Sequence, residues 1–323
     1  MNKKILITGG AGFIGSNLCE YFINKNYDVV CLDNLSTGKI DNIDNLLNNA
    51  NFEFIKGDIR DLKTCRNAIK GVYAVLHQAA LGSIPRSIND PITTNDVNIS
   101  GFLNMLIASK DEKINRFIYA ASSSTYGDNT KLPKIEENIG KPLSPYAITK
   151  YVNELYANVF GNIFGIKTIG LRYFNVFGKN QDPNGAYAAV IPKFINQFIN
   201  HKSPTINGDG SITRDFTYVD NVILANKLAL ETNNKDAFNK VYNIAFGKSI
   251  NLNSLVKIIK TNLSKYDKSI LDINVIYGKP RKADIHDSLA SIEKAKKFLN
   301  YNPKFSVEKG LQKAIEWYWQ NLK

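Results

Sequence analysis

The sequence is poor in cysteine, in histidine and in long apolar runs, and each scarcity excludes a class of protein. Its 323 residues include three cysteines and three histidines. Cys19, Cys31 and Cys65 show no CxxC spacing, so the sequence predicts neither a disulfide framework nor a zinc site, and we expect no bound metal. No stretch approaches the ~20 apolar residues that span a bilayer. We therefore expect a cytoplasmic protein with no membrane partner.

Acidic residues are also scarce relative to basic ones. The chain has 29 Asp and Glu against 41 Lys and Arg, a formal net charge of +12. Such an excess is typical of proteins that bind nucleic acid. The lysines are dispersed, however, and Lys294, Lys296 and Lys297 alternate with apolar residues as on the solvated face of a helix. The pattern favours a basic solvated surface, so we expect no nucleic-acid partner.

Short apolar runs rich in β-branched residues alternate with amphipathic stretches through the first half of the chain. Such runs are typical of buried parallel strands, and the stretches between them have helical spacing. This alternation predicts an α/β fold, a Rossmann-type doubly wound parallel sheet with helices on both faces. The predicted strands are 5–7, 29–32, 52–55, 74–77, 117–120 and 168–171.

The pattern changes after Arg172, where glycine and proline become frequent. At ~150 residues per domain, the length of the chain favours two domains. We predict a first domain at 1–172, which also receives about 219–246, and a smaller, discontinuous α/β domain at 173–323. This second half carries helical patterns at 222–230, 252–263 and 292–299, and a strand-like run at 241–245.

A glycine-rich turn follows the first predicted strand. Gly9, Gly12 and Gly15 allow a tight turn, close approach of the backbone to a pyrophosphate, and close packing of a helix that begins near Phe13. The N-terminus of that helix offers free N–H groups to phosphates. The second strand ends at Asp33, whose carboxylate can accept hydrogen bonds from both adenosine-ribose hydroxyls and would repel a 2′-phosphate. The motif therefore predicts NAD rather than NADP as the cofactor.

Asp58 follows the third predicted strand at the same edge of the sheet. Two interpretations of its carboxylate stay open. It can contact the adenine of the cofactor, or it can cap a turn or a helix.

Tyr146 and Lys150 stand four residues apart, which places them one turn apart on the same face of a helix. A tyrosine that acts as a base near pH 7 needs its pKa lowered by ~3 units, about 4 kcal/mol of differential stabilisation. A lysine ammonium and a nicotinamide cation nearby are charges of the right sign. Ser122 follows the fifth strand at its carboxyl end, where a hydroxyl can bind a substrate oxygen and relay its proton to Tyr146. These three side chains are the predicted catalytic residues.

Three longer segments carry a resemblance to a known family: 77–91 (HQAALGSIPRSINDP), 171–178 (LRYFNVFG) and 181–187 (QDPNGAY). With the motifs above, they make the chain similar along nearly its whole length to extended short-chain dehydrogenases/reductases. Within that family it most resembles nucleotide-sugar 4-epimerases, above all the bacterial UDP-N-acetylglucosamine 4-epimerases. Related dehydratases usually carry an Asp-Glu pair in the serine loop, whereas 122–127 reads SSSTYG. The resemblance therefore implies epimerisation rather than dehydration.

The resemblance also implies which residues bind the cofactor. Lys150 is expected on the nicotinamide-ribose hydroxyls. The other positions implied for NAD are Gly9, Gly12, Phe13, Ile14, Gly15, Asp33, Asn34, Ser36, Thr37, Gly38, Asp58, Ile59, Gln78, Ala79, Ala80, Tyr146, Tyr173 and Val176.

For a UDP-sugar, the resemblance implies that Asn175, Arg214 and Arg281 hold the diphosphate, a role suited to the guanidinium fork. Asp284 is expected to accept a hydrogen bond from the uridine ribose. Ser288 aligns with a bulky tyrosine of the enzymes restricted to non-acetylated sugars, so a serine leaves room for an N-acetyl group. The other implied substrate contacts are Gly82, Ser83, Ser122, Ser123, Ser124, Tyr146, Gln181, Ala189, Val190, Lys193, Thr205, Ile206 and Asn207.

The activity implied by the resemblance is reversible, NAD-dependent inversion at carbon 4 of UDP-N-acetylglucosamine and UDP-N-acetylgalactosamine through a 4-keto intermediate, supplying surface-polysaccharide synthesis. The alternative substrates are UDP-glucose with UDP-galactose, or a UDP-uronate. The alternative from another class is an inactive Rossmann module that binds nucleic acid.

The resemblance further implies a homodimer built from four helices, those beginning near Asn98 and near Tyr146 in each subunit. The first of these helices carries an apolar face formed by Phe102, Leu103, Leu106 and Ile107. Burial of that face within the subunit is the alternative.

Overall fold

A parallel sheet forms the centre of the protein. The computed structural model describes residues 3–184, 188–280 and 287–323. The strands are β1 (Lys4–Thr8), β2 (Asp28–Asp33), β3 (Phe52–Lys56), β4 (Ala74–His77), β5 (Arg116–Ser122), β6 (Lys167–Tyr173), β7 (Val176–Phe177), β8 (Thr205–Asn207), β9 (Thr213–Arg214), β10 (Thr217–Tyr218), β11 (Lys240–Ile244), β12 (Ile250–Asn251) and β13 (Ile276–Gly278). The α-helices are α1 (Phe13–Ile23), α2 (Leu62–Ala68), α3 (Ile84–Asn89), α4 (Pro91–Asn95), α5 (Phe102–Asp111), α6 (Pro145–Phe164), α7 (Val190–Ile199), α8 (Val219–Glu231), α9 (Leu252–Leu263), α10 (Glu293–Leu299) and α11 (Val307–Leu322).

The central sheet has seven strands in the order β11-β6-β5-β4-β1-β2-β3, and every neighbouring pair is parallel. Side chains alternate between its two faces, so Ile5 and Ile7 pack on one face and Leu6 on the other. One face is covered by α1, α8 and α10, and the opposite face by α2, α5 and α6. The predicted doubly wound α/β fold is confirmed.

The chain leaves the sheet after β6 and returns to it with β11, which pairs with β6. Between and after these strands, α7, α9 and α11 pack around a separate apolar cluster that includes Phe177, Ile206 and Phe216. The residues of this cluster follow β6 in the sequence, apart from Phe13, which packs against it. The division into two domains stays a prediction.

Every predicted strand is present, and α9 spans the predicted residues. The frequent glycine and proline after Arg172 predict turns rather than helices, yet 190–199 forms α7. Pro192 lies in the first turn of α7, where a missing N–H breaks no helical hydrogen bond. The sequence patterns also did not indicate α11, whose N-cap is Ser306.

The apolar faces of α5 and α6 differ in their exposure to solvent. On α5, Phe102 and Leu106 are buried within the subunit, which is the alternative given above for that face. On α6, by contrast, several apolar side chains are about half exposed. None of the helices in the described part of the chain is long and apolar enough to cross a membrane.

Candidate active site

Two adjoining cavities lie at the carboxyl edge of the sheet. The first, of about 400 Å³, runs along the ends of β1, β2 and β4 to α6. The second, of about 820 Å³, lies against α7, β8 and β9. Asn175 lines both cavities, and the consecutive residues Gly82 and Ser83 line one each. A ligand that spans the two cavities therefore passes between these residues.

The glycine turn closes one end of the first cavity. A side chain on Gly15 would place its Cβ 2.0 Å from the Gly9 carbonyl oxygen, so α1 packs on the turn only because this residue has none. At Gly12 the nearest atom to such a Cβ is 3.2 Å away, and the residue lines the cavity. No side chain caps the N-terminus of α1. Its first N–H groups are therefore available to a pyrophosphate, which fits the predicted dinucleotide.

Asp33 fixes the shape of the turn from the end of β2. Its carboxylate accepts hydrogen bonds from the N–H groups of Ala11 (3.0 Å) and Leu35 (2.8 Å). The side chain is nearly buried yet lines the cavity. Each carboxylate oxygen can accept more than one hydrogen bond, so lone pairs remain for ribose hydroxyls.

Asp58 also lines the cavity, but its carboxylate is held by Arg60 and Asn34. Hydrogen bonds from Arg60 hold the pKa of Asp58 at about 2. The oxygen Oδ1 accepts the Arg60 backbone N–H, as a turn aspartate does. Both interpretations made from the sequence thus find support in its position.

Side chains at the ends of β1, β4 and β6 form a network that the sequence did not reveal. The Thr8 hydroxyl accepts the Ala79 N–H and contacts Nδ1 of His77 at 2.9 Å. Burial, with the Lys150 charge, lowers the pKa of His77 to about 3, so the ring is neutral. This network holds the start of the loop that follows β4.

A second network positions Gln78 on the cavity wall. The Tyr173 hydroxyl donates to Gln78 (3.2 Å) and accepts from Asn226 (2.9 Å), and Gln78 in turn donates to Asn226 (3.3 Å). Burial raises the pKa of Tyr173, so it acts as a neutral donor. Asn226 lies on α8, far along the chain from the motif residues, and no local pattern indicated it.

The three predicted catalytic side chains meet on the wall of the first cavity. Tyr146 and Lys150 lie on α6, which begins at Pro145 with Ser144 as its N-cap. The Lys150 ammonium donates to the Ala120 carbonyl at 2.9 Å. The Ser122 hydroxyl accepts from the backbone N–H and the hydroxyl of Ser124, at 3.1 and 2.9 Å.

Burial acts on both ionisable groups of this cluster. It raises the pKa of Tyr146, while a hydrogen bond with Ser122 acts in the opposite direction. It lowers the pKa of Lys150 to about 8, although the negative charge of Glu154 opposes this change. The protein alone therefore leaves Tyr146 protonated at neutral pH, and positive charge is needed beside the phenol before it can act as a base.

The second cavity gathers most of the residues expected to contact a nucleotide. Its lining mixes apolar side chains with the two cations Lys193 and Arg214, which suits an aromatic base joined to phosphates. The predicted residues on its wall are Ser83, Asn175, Ala189, Val190, Lys193, Thr205, Ile206, Asn207 and Arg214. The sequence did not indicate Ile84, Pro85, Phe194, Ile212, Phe216 and Leu252, which also line it.

The first cavity likewise holds most of the predicted cofactor residues. The predicted residues on its wall are Gly9, Gly12, Phe13, Ile14, Gly15, Asp33, Asn34, Ser36, Thr37, Asp58, Ile59, Gln78, Ala79, Ala80, Gly82, Ser122, Tyr146, Lys150, Tyr173, Asn175, Val176 and Gln181. Of the remaining predictions, Gly38, Ser123, Ser124 and Ser288 line neither cavity.

Two further predictions, Arg281 and Asp284, lie outside the described residues. The carboxylate of Asp287 accepts from the Thr213 hydroxyl at 2.5 Å. Ser288 then donates its N–H to the Thr213 carbonyl at 3.2 Å. Within the described ranges, no group of three or more His, Cys, Asp or Glu could hold a metal ion.

Asp215, next to Arg214, is a buried carboxylate that the sequence did not suggest. It accepts backbone N–H groups from Phe246, Gly247 and Ala290, at 3.1–3.3 Å. Burial raises its pKa to about 7, and these hydrogen bonds oppose the rise. The carboxylate thus ties β9 to the loop after β11 and to the segment that follows Ser288.

We predict that Asp33→Asn weakens NAD binding by about tenfold to a hundredfold, because hydrogen bonds to a charged acceptor contribute ~1.5–3 kcal/mol. Asp44→Asn, a change at an exposed aspartate, is the matched control and should bind normally. Titration of cofactor-stripped protein with NAD gives the affinities. Urea unfolding shows whether the variant keeps its fold. Equal affinities for a folded Asp33→Asn and for wild type would refute the assignment.

Comparisons with known proteins agree with this geometry. The family model described as "NAD dependent epimerase/dehydratase family" matches residues 5–245. A protein of Methanocaldococcus jannaschii named putative UDP-glucose 4-epimerase is 38% identical over 98% of this chain and 99% of its own length. The structure of UDP-N-acetylglucosamine 4-epimerase from Methanobrevibacter ruminantium, in complex with UDP-N-acetylmuramic acid, is 39% identical, covers 98% of both chains and superposes with a TM-score of 0.91.

A third relative was solved with the cofactor. The structure of UDP-glucuronic acid 4-epimerase from Bacillus cereus, with UDP-glucuronic acid and NAD, is 32% identical, covers 98% of this chain and 99% of its own, and has a TM-score of 0.88. The two solved relatives share the fold over nearly their full lengths, and the three relatives differ in the sugar that they are named for. The chain belongs to the NAD-dependent epimerase/dehydratase family, and its cofactor is NAD.

Proposed function

We propose that the protein is a nucleotide-sugar 4-epimerase that interconverts UDP-N-acetylglucosamine and UDP-N-acetylgalactosamine for surface-polysaccharide synthesis. The observation that carries this proposal is the meeting of Tyr146, Lys150 and Ser122 on one wall of the first cavity, beside Asn175, which also lines the second. A nucleotide in the second cavity would extend its sugar past Asn175 towards Tyr146. Solved relatives named for three different UDP-sugars share this fold.

The chemistry needs a group that removes a proton from the sugar 4-hydroxyl. Tyr146 is the base, and Ser122 binds the same oxygen and relays its proton. Lys150, whose ammonium lies against the Ala120 carbonyl, supplies positive charge to the cluster. NAD, when bound, accepts hydride from carbon 4 and returns it, so a 4-keto sugar forms without an external oxidant.

Inversion requires that the 4-keto sugar rotate between the two hydride transfers, so that the hydride returns to its opposite face. The nucleotide must therefore be held firmly and the sugar loosely. In the second cavity Lys193 and Arg214 supply cations for the UDP, and Arg281 is proposed to join them. Gly82, with no side chain, lies where the two cavities meet and leaves open space beside it.

The choice of an N-acetylated sugar rests on small residues. Gly82, Ser83 and Gln181 line the cavities, and by resemblance they and Ser288 leave room for an acetamido group. Ser288 lines neither cavity, but its N–H donates to the carbonyl of Thr213, the neighbour of Arg214 in the chain. The M. ruminantium relative, named for UDP-N-acetylglucosamine, supports this choice. UDP-glucose and a UDP-uronate are the alternatives.

The direct test is incubation of the purified protein with UDP-N-acetylglucosamine, UDP-glucose or UDP-glucuronate, without added NAD, followed by chromatography of the products. We expect the highest initial rate with the acetylated sugar. We expect Ser288→Tyr to lower that rate by at least tenfold and to change the UDP-glucose rate less, because a phenol would occupy the space of the acetamido group. Ser269→Tyr, at an exposed serine, is the control.

Two outcomes would contradict this proposal. A higher rate on UDP-glucose or UDP-glucuronate would assign the other substrate. Salt-dependent binding of RNA with no turnover of any UDP-sugar would favour the inactive nucleic-acid-binding module.

We predict that Tyr146→Phe lowers turnover by ~10²–10⁴-fold while the protein keeps its fold and its NAD, because the variant lacks only the hydroxyl that accepts the substrate proton. Tyr151→Phe, on the same helix but away from both cavities, should turn over at the wild-type rate. Initial rates and the cofactor content of the denatured protein give the comparison. A Tyr146→Phe protein as active as wild type would show that another group is the base.

We also propose that two copies of the chain associate through α6. The outer side of this helix exposes Ile148, Leu155, Val159 and Ile163, each 47–67% accessible at helical spacing. The neighbouring α4 packs against α6 and exposes Ile92. Pairing this apolar stripe with a second copy would bring α4 and α6 of each subunit together as four helices, with α4 in the place that the resemblance gives to the helix near Asn98.

Leu155→Glu should convert a dimer to a monomer, because the contact would bury an unpaired carboxylate in each subunit. Leu271→Glu, at a leucine of similar exposure far from α6, should leave the dimer intact. Light scattering coupled to size exclusion gives the mass of each variant. A wild-type protein that is monomeric at micromolar concentration would refute the proposed dimer.

A further inference from the structure

The face of α6 that carries Tyr146 and Lys150 continues with a third ionisable residue, Glu154. It lies four residues beyond Lys150, hence one further turn along the helix on the same side. Glu154 is nearly buried, as Lys150 is, but it is absent from the cavity walls. A buried carboxylate away from the ligands and beside a catalytic lysine has no part in the chemistry described above.

The Glu154 carboxylate is held rigidly from β6. The Arg172 guanidinium donates from Nε to Oε1 at 2.8 Å and from Nη2 to Oε2 at 2.7 Å, the bidentate geometry that fixes a carboxylate most firmly. The ion pair is almost fully buried, with 2% of the Arg172 side chain and 7% of the Glu154 side chain accessible. Screening by water is therefore weak, and the negative charge acts over the distance of one helical turn.

Arg172 is in turn fixed by its other contacts. Its Nη1 donates to the Glu136 carbonyl at 2.9 Å, and its guanidinium lies 4.9 Å from the centroid of the Tyr126 ring. Glu136 directs its own carboxylate elsewhere, to the Asn243 N–H at 2.8 Å. Arg172 therefore cannot turn away from Glu154 without breaking this cluster, and the carboxylate keeps one position behind Lys150.

We infer that Glu154, clamped by Arg172, is a positioning residue that keeps the Lys150 ammonium protonated and seated against the Ala120 carbonyl. Burial of Lys150 by itself favours its neutral form, and a fixed carboxylate one turn away opposes this effect. A direct ion pair would draw the ammonium away from the cavity. A carboxylate already engaged by arginine instead stabilises the charge from a distance.

Other ionisable groups surround this pair. Burial lowers the pKa of His77 to about 3 and raises the pKa of Tyr119, so both are neutral near pH 7. The groups that face Lys150 or Glu154 from α6 and the elements packed against it are Tyr146, His77, Tyr119, Tyr126 and Arg172. Glu136 meets this set only through its backbone carbonyl, which accepts from Arg172. Glu154 is the member of this set whose negative charge raises the pKa of Lys150 against the effect of burial.

The test is a titration of the lysine side chains by ¹³C NMR in the presence of saturating NAD, with the Lys150 resonance identified by its loss in Lys150→Arg. Burial lowers the pKa of Lys150 in the protein alone to about 8, and the charge of the lysine is lost as the pH rises through its pKa. In Glu154→Gln we expect that pKa to fall by about one unit, as for loss of a neighbouring opposite charge. Glu136→Gln is the matched control. It changes a buried carboxylate of the same cluster that does not face Lys150, so it should leave the Lys150 pKa unchanged.

Glu154→Gln leaves Arg172 buried without its partner, which can unfold the protein. The double variant Glu154→Gln with Arg172→Met removes both charges. In this double variant we expect the Lys150 pKa to stay below the wild-type pKa, by at least half the shift of the single variant. The full shift is not expected, because the opposing positive charge of Arg172 is removed as well. The inference would be overturned if the Lys150 pKa of the folded single or double variant lay within about 0.3 units of the wild-type pKa.

For its kinetic consequence the inference rests on the proposed function. If Lys150 must be charged for turnover, the alkaline limb of the kcat profile in Glu154→Gln should move to lower pH by the same amount as the NMR titration. The NMR shift does not depend on turnover. A protein that shows the shift but epimerises no UDP-sugar would refute the proposed function and leave the inference about Glu154 standing.

Discussion

The parallel direction of all seven central strands is the constraint on which the site depends. In parallel pairing, Thr8 stands beside His77 and Ser122 beside Tyr173, so the carboxyl ends of neighbouring strands meet at one edge. Side chains from different parts of the chain therefore converge without long loops. A single antiparallel strand in this part of the sheet would send one of these residues to the opposite edge and leave the cavity wall incomplete.

The parts of the fold and site that the sequence predicted are those determined by neighbouring residues. A strand buried on both faces must be apolar throughout, so the runs around Ile5 and Val29 are visible in the sequence. The glycine turn depends on three glycines in one short segment, 9–15. The Tyr146–Lys150 pair depends on helical spacing alone. NAD as the cofactor followed from these local features.

The parts that the sequence did not predict depend on contacts between distant segments. The Glu154 carboxylate on α6 is fixed by Arg172 on β6, and that of Asp215 by N–H groups of residues 246, 247 and 290. An isolated Glu or Asp in a sequence is typical of a solvated surface, so no pattern distinguished these two from the other acids. The same holds for Asn226, which contacts Gln78 and Tyr173 only because α8 packs against the sheet.

The return of β11 to the sheet has a consequence for protein synthesis. This strand pairs with β6, but residues 174–239 must be made between the two. At a synthesis rate of ~5–20 residues per second, β6 remains an uncovered sheet edge on the ribosome for roughly several seconds. Exposed edges invite pairing with other chains. The nascent protein therefore passes through a stage in which an exposed, aggregation-prone edge belongs to the strand that carries Arg172 and leads to Asn175.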